Sequence, residues 1–230
     1  MDARGLISLS YDGSLPCHTD VVMRHLSSRG LRATFYVEPA LMLESISEWQ
    51  AASAAGHEIG NGCLHSVAET DGSISSWFVG SLAEEVQEAK ELIEEAFPGQ
   101  TEHSFGYPWG QPAPGAEGYE PAISRSYSVA RSGVAGFNEP GAVNRQQIKC
   151  IPCDGLTAEE MTEYAAAART RGCWAVFSFE GVGVGRRAVD AEQHARFCDW
   201  LASANDVRVA PVVEQAEFLE PSLRGTAELR

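Results

Sequence analysis

The sequence predicts an α/β fold in which parallel strands alternate with helices, as a sheet or a barrel. Three observations lead there. Short apolar runs alternate with helical periodicity from one end of the chain to the other, the pattern of repeated βα units. The 230 residues suit a single domain spanning 1–230, since α/β barrels of roughly 200 to 250 residues form one unit. The first apolar run, Leu6 to Tyr11, ends at Asp12-Gly13, which puts an acid at the C-terminal mouth of a first parallel strand, where α/β folds hold their chemistry. Asp-Gly also makes an ordinary turn for local backbone reasons, and on this stretch alone both readings stand.

After that strand, Thr19 is a candidate cap for a helix with Val21, Val22 and Leu26 at helical spacing, stopped by Gly30. Ala33 to Val37 reads as a second strand, broken by Pro39, and a helix from Ile46 to Ala55 ends at Gly56. His57 to His65 reads as a short strand running into a polar loop. Leu82, Val86, Ala89, Ile93 and Ala96 make one apolar stripe on a glutamate-rich helix that Pro98-Gly99 ends. Ser104 to Gly110 is a brief strand and a Pro/Gly corner, with loop composition from Gln111 to Gly118. Thr157 and Glu160 form a capping box for a helix reaching Arg171 and ended by Gly172. Trp174 to Phe179 is a buried strand, Asp190 with Gln193 starts the last long helix, and Val207 to Val213 reads as a final strand. With this topology the polar strand ends Asp12, Glu58, His65, Tyr107, Asp154 and Glu180 are expected to gather at one mouth.

Composition narrows the partners. With 17 basic and 32 acidic residues the net charge is -15, so a nucleic-acid backbone is repelled over most of the surface. No apolar run is long enough to span a membrane, and no basic and apolar leader opens the chain; the expected setting is the cytoplasm and the expected partner a small-molecule substrate, with a homo-oligomer left open. The six cysteines are expected as reduced thiols. Cys150 and Cys153 have CxxC spacing, but the second pair that a structural zinc needs is missing.

Five stretches in order then carry a resemblance: Leu9-Ser-Tyr-Asp-Gly13, Gly30-Leu-Arg-Ala-Thr-Phe-Tyr-Val37, Gly56-His-Glu-Ile-Gly-Asn61, Phe105-Gly-Tyr-Pro-Trp-Gly110 and Trp174 to Gly183. Together the sequence resembles the polysaccharide deacetylase family, the NodB homology domain. The resemblance implies a distorted (β/α) barrel and, in the usual member, a divalent metal held by one Asp and two His that hydrolyses an N-acetyl group. A neighbouring Asp acts as base. Here Asp12 stands at the base position, but the ligand positions hold Gly13, Gly62 and Ser66, and the late motif's histidine is Glu180. Ligands lost with the scaffold motifs kept point to a rebuilt or retired site, because a zinc site without its ligands has no binding energy. No cofactor is therefore expected. The alternative is a metal such as zinc at a rebuilt set of Asp12, His65 and Glu180, or of His65 with Glu69.

The candidate catalytic residues are Asp12, His65 and Glu180, and the candidate substrate contacts are His18, Cys63, Tyr107, Trp109 and Asp154. Two carboxylates and an imidazole in a half-buried pocket could divide acid and base work, since neighbouring like charges push one pKa upward. Each residue also has a plain alternative: Asp12 a turn former, His65 a loop histidine, Glu180 an ion-pair partner of Arg131, Arg186 or Arg187, and Cys63 an inert buried thiol. The leading expectation is a metal-independent hydrolase of an amide or cyclic-imide C–N bond in a small metabolite. An isomerase, lyase or cyclase using the same residues, and a catalytically silent carbohydrate-binding protein, are the alternatives. Asp12→Asn and Glu180→Gln are each expected to cut turnover with the fold intact.

Overall fold

The computed structural model describes residues 5–63, 78–111 and 120–224. Strand β1 (Gly5–Asp12) is the axis of the molecule. It pairs in parallel with β7 (Trp174–Phe179) over Leu6 to Tyr11 on one edge. On its other edge it takes β10 (Val207–Val209) beside Gly5 to Ile7, then β2 (Thr34–Val37) beside Ser10 to Asp12. The circuit continues through β3 (Glu58–Asn61), β4 (Phe105–Gly106), β5 (Ala130–Ala135) and β6 (Ile148–Pro152) back to β7. Among the described residues the result is a closed parallel barrel of seven strands, in keeping with the distorted (β/α) barrel that the resemblance implies.

Its distortion is local. Strand β4 has two residues and meets β3 at a single pair, Asn61 with Phe105, and the β5–β6 register shifts between Arg131 and Ala135. A bulge of this kind re-aims side chains beside it.

Strand alternation sorts β1 cleanly. Ile7, Leu9 and Tyr11 face outward into a core with Phe35, Phe177, Phe179 and Phe197. Ser8, Ser10 and Asp12 face the interior, where the Ser8 hydroxyl donates to the Ala210 carbonyl at 2.7 Å and that of Ser10 to Phe177 at 3.1 Å. The described α-helices are α1 (Met23–Ser27), α2 (Pro39–Met42), α3 (Ile46–Ala54), α4 (Phe78–Ala96), α5 (Glu120–Ser126), α6 (Ala158–Arg171), α7 (Ala191–Ser203) and α8 (Val212–Arg224), of which α3, α4, α6 and α7 belong to the outer layer. The capping box on α6 is present, with the Glu160 amide donating to Thr157 Oγ1 and the Thr157 amide to Glu160 Oε2.

Several local expectations change. Thr19 lies within the helical segment His18–Val22 and Met23–Ser27, and its hydroxyl donates to Pro16 without capping. At α7 the Asp190 carboxylate caps the amides of Glu192 and Gln193, whereas the Gln193 side chain accepts from Ala158 of α6. The expected strand to Val213 stops at Val209. Val212 and Val213 open the helix Val212–Arg224, because Thr34 Oγ1 and Glu58 Oε2 accept their amides at 2.8 and 3.1 Å, satisfying groups that a helix start leaves orphaned. Glu58 therefore closes the bottom of the barrel, opposite the mouth where the sequence places it. Strands β5 and β6 escape the sequence because Ala130-Arg-Ser-Gly and Lys149-Cys-Ile-Pro show no sustained apolar alternation.

Candidate active site

The inward residues of consecutive strands meet at the C-terminal mouth around a cavity of about 250 Å³. Asp12 from β1, Tyr36 from β2, Arg131 from β5, Cys150 from β6 and Ser178 from β7 line it. Its floor is the Tyr36 ring. That ring lies across Gly60 and Gly106, where a Cβ would stand 2.7 Å from a ring carbon at either position. The Tyr36 hydroxyl accepts from Ser104 Oγ at 3.0 Å, and burial raises its pKa far above the usual phenol value.

Arg131 lies on this floor, its guanidinium 5.0 Å from the Tyr36 ring centre and 3% of the residue exposed. One Nη donates to Asp12 Oδ1, and the other to Ser178 Oγ at 3.3 Å. Ser178 Oγ in turn donates to Asp12 Oδ2 at 3.2 Å. Both carboxylate oxygens of Asp12 are thus held. Burial is the largest influence on Arg131 and opposes its charge, but Asp12, Cys150 and Tyr36 together more than offset it and keep the guanidinium protonated.

Opposite this pair, β8 (Gly181–Val182) and β9 (Ala188–Val189) form a small ribbon that presents Glu180 and Arg187 to the cavity. Arg187 Nε donates to Asp154 Oδ2 at 2.7 Å, its Nη1 lies 3.5 Å from Glu180 Oε2, and its guanidinium carbon lies 5.8 Å from the Trp109 ring centre. Partial burial raises the Glu180 pKa above the usual carboxylate value. Arg187 opposes the shift, while Asp154 and Asp12 add to it.

Of the residues proposed from the sequence, Asp12, Glu180, Tyr107, Trp109 and Asp154 all line this one cavity. His65 lies outside the described residues, as do Ser66 and Glu69. His18 and Cys63 do not line it. His18 is fully buried beneath the site, where Nε2 donates to the Glu180 carbonyl at 2.7 Å and the ring packs edge-on to Tyr11; it props the backbone of Glu180 instead of touching a substrate. Cys63 is buried in an apolar cluster with Phe105, Tyr107 and Tyr127. Its backbone is at φ 83°, with its amide donating to Asn61 Oδ1 at 2.7 Å, a left-handed turn that residue type does not announce. Cys150 and Cys153 are both free thiols.

Of the three arginines that the sequence reading offers as partners of Glu180, Arg187 is the one beside it, and Arg131 pairs instead with Asp12, a placement the sequence reading missed. The available signal was a charged residue inside a segment that has to be buried for a barrel to close.

The described residues do not supply the ligand set of the metal that the resemblance implies. Gly13 is at φ +80°, and a Cβ on Gly62 would stand 2.9 Å from the Tyr36 carbonyl oxygen and 3.0 Å from that of Val37. The backbone has closed over the Gly62 position, whereas at Gly13 there is space for a Cβ and the left-handed φ alone disfavours a side chain. Among the described residues no group of three His, Cys, Asp or Glu side chains could hold a metal ion. Gly13→Asp combined with Gly62→His is accordingly expected to bind no stoichiometric zinc and to melt below the parent, read by elemental analysis and thermal unfolding. One zinc per chain in a variant of unchanged melting temperature contradicts this.

The sequence profile described as polysaccharide deacetylase matches residues 2–117. No curated protein matches the chain. Among solved structures, a probable polysaccharide deacetylase from Pseudomonas aeruginosa PAO1 is similar with a TM-score of 0.70 at 11% identity, over 94% of this chain and 91% of that one. Puue allantoinase is similar at 0.69 and 11%, over 94% and 90%. A mutant of BA3943, described as a CE4 family pseudoenzyme, is similar at 0.58 and 12%, over 92% and 67%. At these identities the likenesses speak for the fold. No helix of the described residues is long and apolar enough to cross a membrane.

Proposed function

The chain belongs to the polysaccharide deacetylase family, and from that premise we propose that it is a metal-independent hydrolase of an amide or cyclic-imide C–N bond in a small molecule. The observation that carries the proposal is the unequal treatment of two carboxylates on one cavity. Asp12 is bonded to Arg131 and Ser178 on both oxygens, and Glu180 is held towards its protonated form. Environments that differ in this way assign a base and an acid.

In the proposed reaction a water beside Asp12 gives its proton to that carboxylate as its oxygen adds to the acyl carbon. Glu180 then protonates the leaving nitrogen as the C–N bond breaks, yielding a carboxylic acid and an amine. The proton on Asp12 passes to solvent and Glu180 is reprotonated from it, restoring the site. Arg131 acts as a positioning residue, orienting Asp12 through a charge-assisted bond. Tyr36 beneath it keeps water from the lower face of the guanidinium.

Glu180→Gln is expected to lower turnover by about 10²–10⁴-fold, the usual worth of a positioned acid, and to remove the high-pH fall in rate. That fall arises because an acid works only while protonated and is lost as pH rises through its pKa. The check is a panel of small linear amides and cyclic imides turned over in H₂¹⁸O. Label in the carboxylic acid product supports hydrolysis. Turnover without label favours isomerisation or cyclisation by the same two carboxylates, and wild-type rates in both Asp12→Asn and Glu180→Gln remove the assignment. Binding of a carbohydrate without turnover identifies the silent alternative.

A further inference from the structure

The bottom of the barrel carries a second cavity, of about 320 Å³, the size of a small-molecule site. It lies between the turn that leads from α3 into β3, the segment before β4 and the start of α8, and it shares no lining residue with the mouth. One side chain reaches into it with a polar atom left open. His57 is 5% exposed and lines the cavity. Its Nδ1 accepts from the Ala33 amide at 3.2 Å, so the proton of the neutral ring sits on Nε2. The ring is neutral because burial first and then Arg32 lower its pKa to about 4. Nε2 makes no hydrogen bond among the described residues and is not sealed from solvent. A nearly buried N–H donor of this kind calls for an acceptor oxygen.

The carboxylates around His57 are not equally engaged. Glu58 is spent inwards on Thr34, Ser104 and the Val213 amide. Glu214 accepts from Arg32 at 2.6 and 3.0 Å and from Arg208 at 2.6 Å, and Arg32 first and then Arg208 lower its pKa. Both guanidiniums are thereby occupied. Glu102 and Glu217 also line the cavity, and neither makes an ion pair or a side-chain hydrogen bond among the described residues. The cavity therefore offers two uncompensated negative charges beside one neutral N–H. An anion is repelled, and a simple alkylammonium or guanidinium has no oxygen for His57. A metal ion is not served either, since no group of three ligating side chains is assembled among the described residues. An organic ammonium with a hydroxyl on a neighbouring carbon satisfies both features.

We propose that this cavity is a second binding site, for a small amino alcohol whose ammonium faces Glu102 and Glu217 while a hydroxyl oxygen accepts from His57 Nε2. The site stands apart from the hydrolytic reading, because it lies at the opposite end of the barrel from Asp12 and Glu180.

Serinol is the probe, with glycerol and isopropylamine as matched controls that lack its charge and its hydroxyls respectively. Binding is followed by NMR of the His57 ring nitrogens on the full chain, at neutral pH in a buffer free of amines. Glycerol is expected to bind about five-fold or more weakly than serinol, having no charge for two carboxylates. Isopropylamine is expected to bind about three- to ten-fold more weakly, the worth of one hydrogen bond. Glu102→Gln and Glu217→Gln change exposed positions and are each expected to weaken serinol about two- to five-fold, with a smaller effect at high salt. His57→Asn keeps an acceptor for the Ala33 amide but loses the Nε2 donor, and is expected to bring serinol to the affinity of isopropylamine. Should that variant fail to fold, the matched probes and the two carboxylate variants decide the matter. Glycerol binding as well as serinol, or isopropylamine binding as well as serinol, overturns the inference. So does unchanged binding in both carboxylate variants, or the lack of a saturable shift at the His57 ring.

Discussion

Asp12→Asn is expected to lose about 10²–10⁴-fold in turnover and, beyond that, to cost more stability than Arg131→Met. The two partners are not equally buried: the Arg131 side chain is 3% exposed and that of Asp12 is 36% exposed. Removing the carboxylate charge leaves a guanidinium sealed between Tyr36 and Ser178 with no anion, and breaking a buried pair in this direction costs about 3 kcal/mol, the low end of its range because water reaches Asp12. Removing Arg131 leaves a carboxylate that water and Ser178 still solvate, at a cost of about 1 kcal/mol beyond lost packing. The double variant Asp12→Asn/Arg131→Met is therefore expected to be more stable than Asp12→Asn alone, the signature of a removed orphan charge. Urea unfolding of the three variants reads this out. Equal costs for the two single changes, or a double variant at the sum of both, would defeat the account. The sequence alone expects Asp12→Asn to leave the fold intact, and it is the burial of Arg131 that changes the expectation.

Stability is also expected to fall by about 4 kcal/mol between neutral pH and about pH 5 from two histidines alone. His194 is fully buried, accepts from or donates to the Tyr11 hydroxyl at 2.8 Å, and shares a short Nδ1 to Nδ1 contact of 2.9 Å with His25. Burial first, then His25, Arg29 and His18, push its pKa down to about 3. Burial and then Arg32 lower that of His57 to about 4. Both rings stay neutral in the fold but take a proton on unfolding below their ordinary value of 6.5. The unfolded chain thus binds more protons in this window, so their contribution is complete above about pH 6.5 and is lost as pH falls towards their folded values. Each ring accounts for about 2 kcal/mol of the loss at about pH 5. Denaturant midpoints at neutral, weakly acid and acid pH test the slope, and His194→Gln is expected to flatten it by about half. A stability that does not change over that range rules the account out.

Much of the scaffold was legible because its signals are local. The Thr157–Glu160 capping box, the Gly172 stop and the apolar run Trp174 to Phe179 depend on neighbours within a few residues, and each stands where the sequence puts it. The mouth was legible through Asp12, Trp109, Asp154 and Glu180, since polar residues just after buried strands gather at one end of a parallel barrel. Arg131 was not, because strand β5 looks polar until the barrel closes around it. His18 and Cys63 were misplaced because each sits near the mouth in sequence while its side chain is directed into packing. Glu58 was misplaced because it begins its strand, which puts it at the bottom.

What the sequence by itself determined is the alternating α/β order, the acid at the end of the first strand and the family, with Gly13, Gly62 and Ser66 standing where the resemblance implies metal ligands. Those are properties of residue type and spacing. Only the tertiary structure decided that Asp12 is paired with Arg131, residues that lie far apart in the chain, and that Arg187 bridges Asp154 and Glu180 beside Trp109. It also decided that the backbone leaves no room for a side chain at Gly62. The physical reason is that pairing, burial and close backbone approach depend on which inward residues share a level of the closed barrel. That register is set by all seven strands together, and no single stretch of sequence contains it.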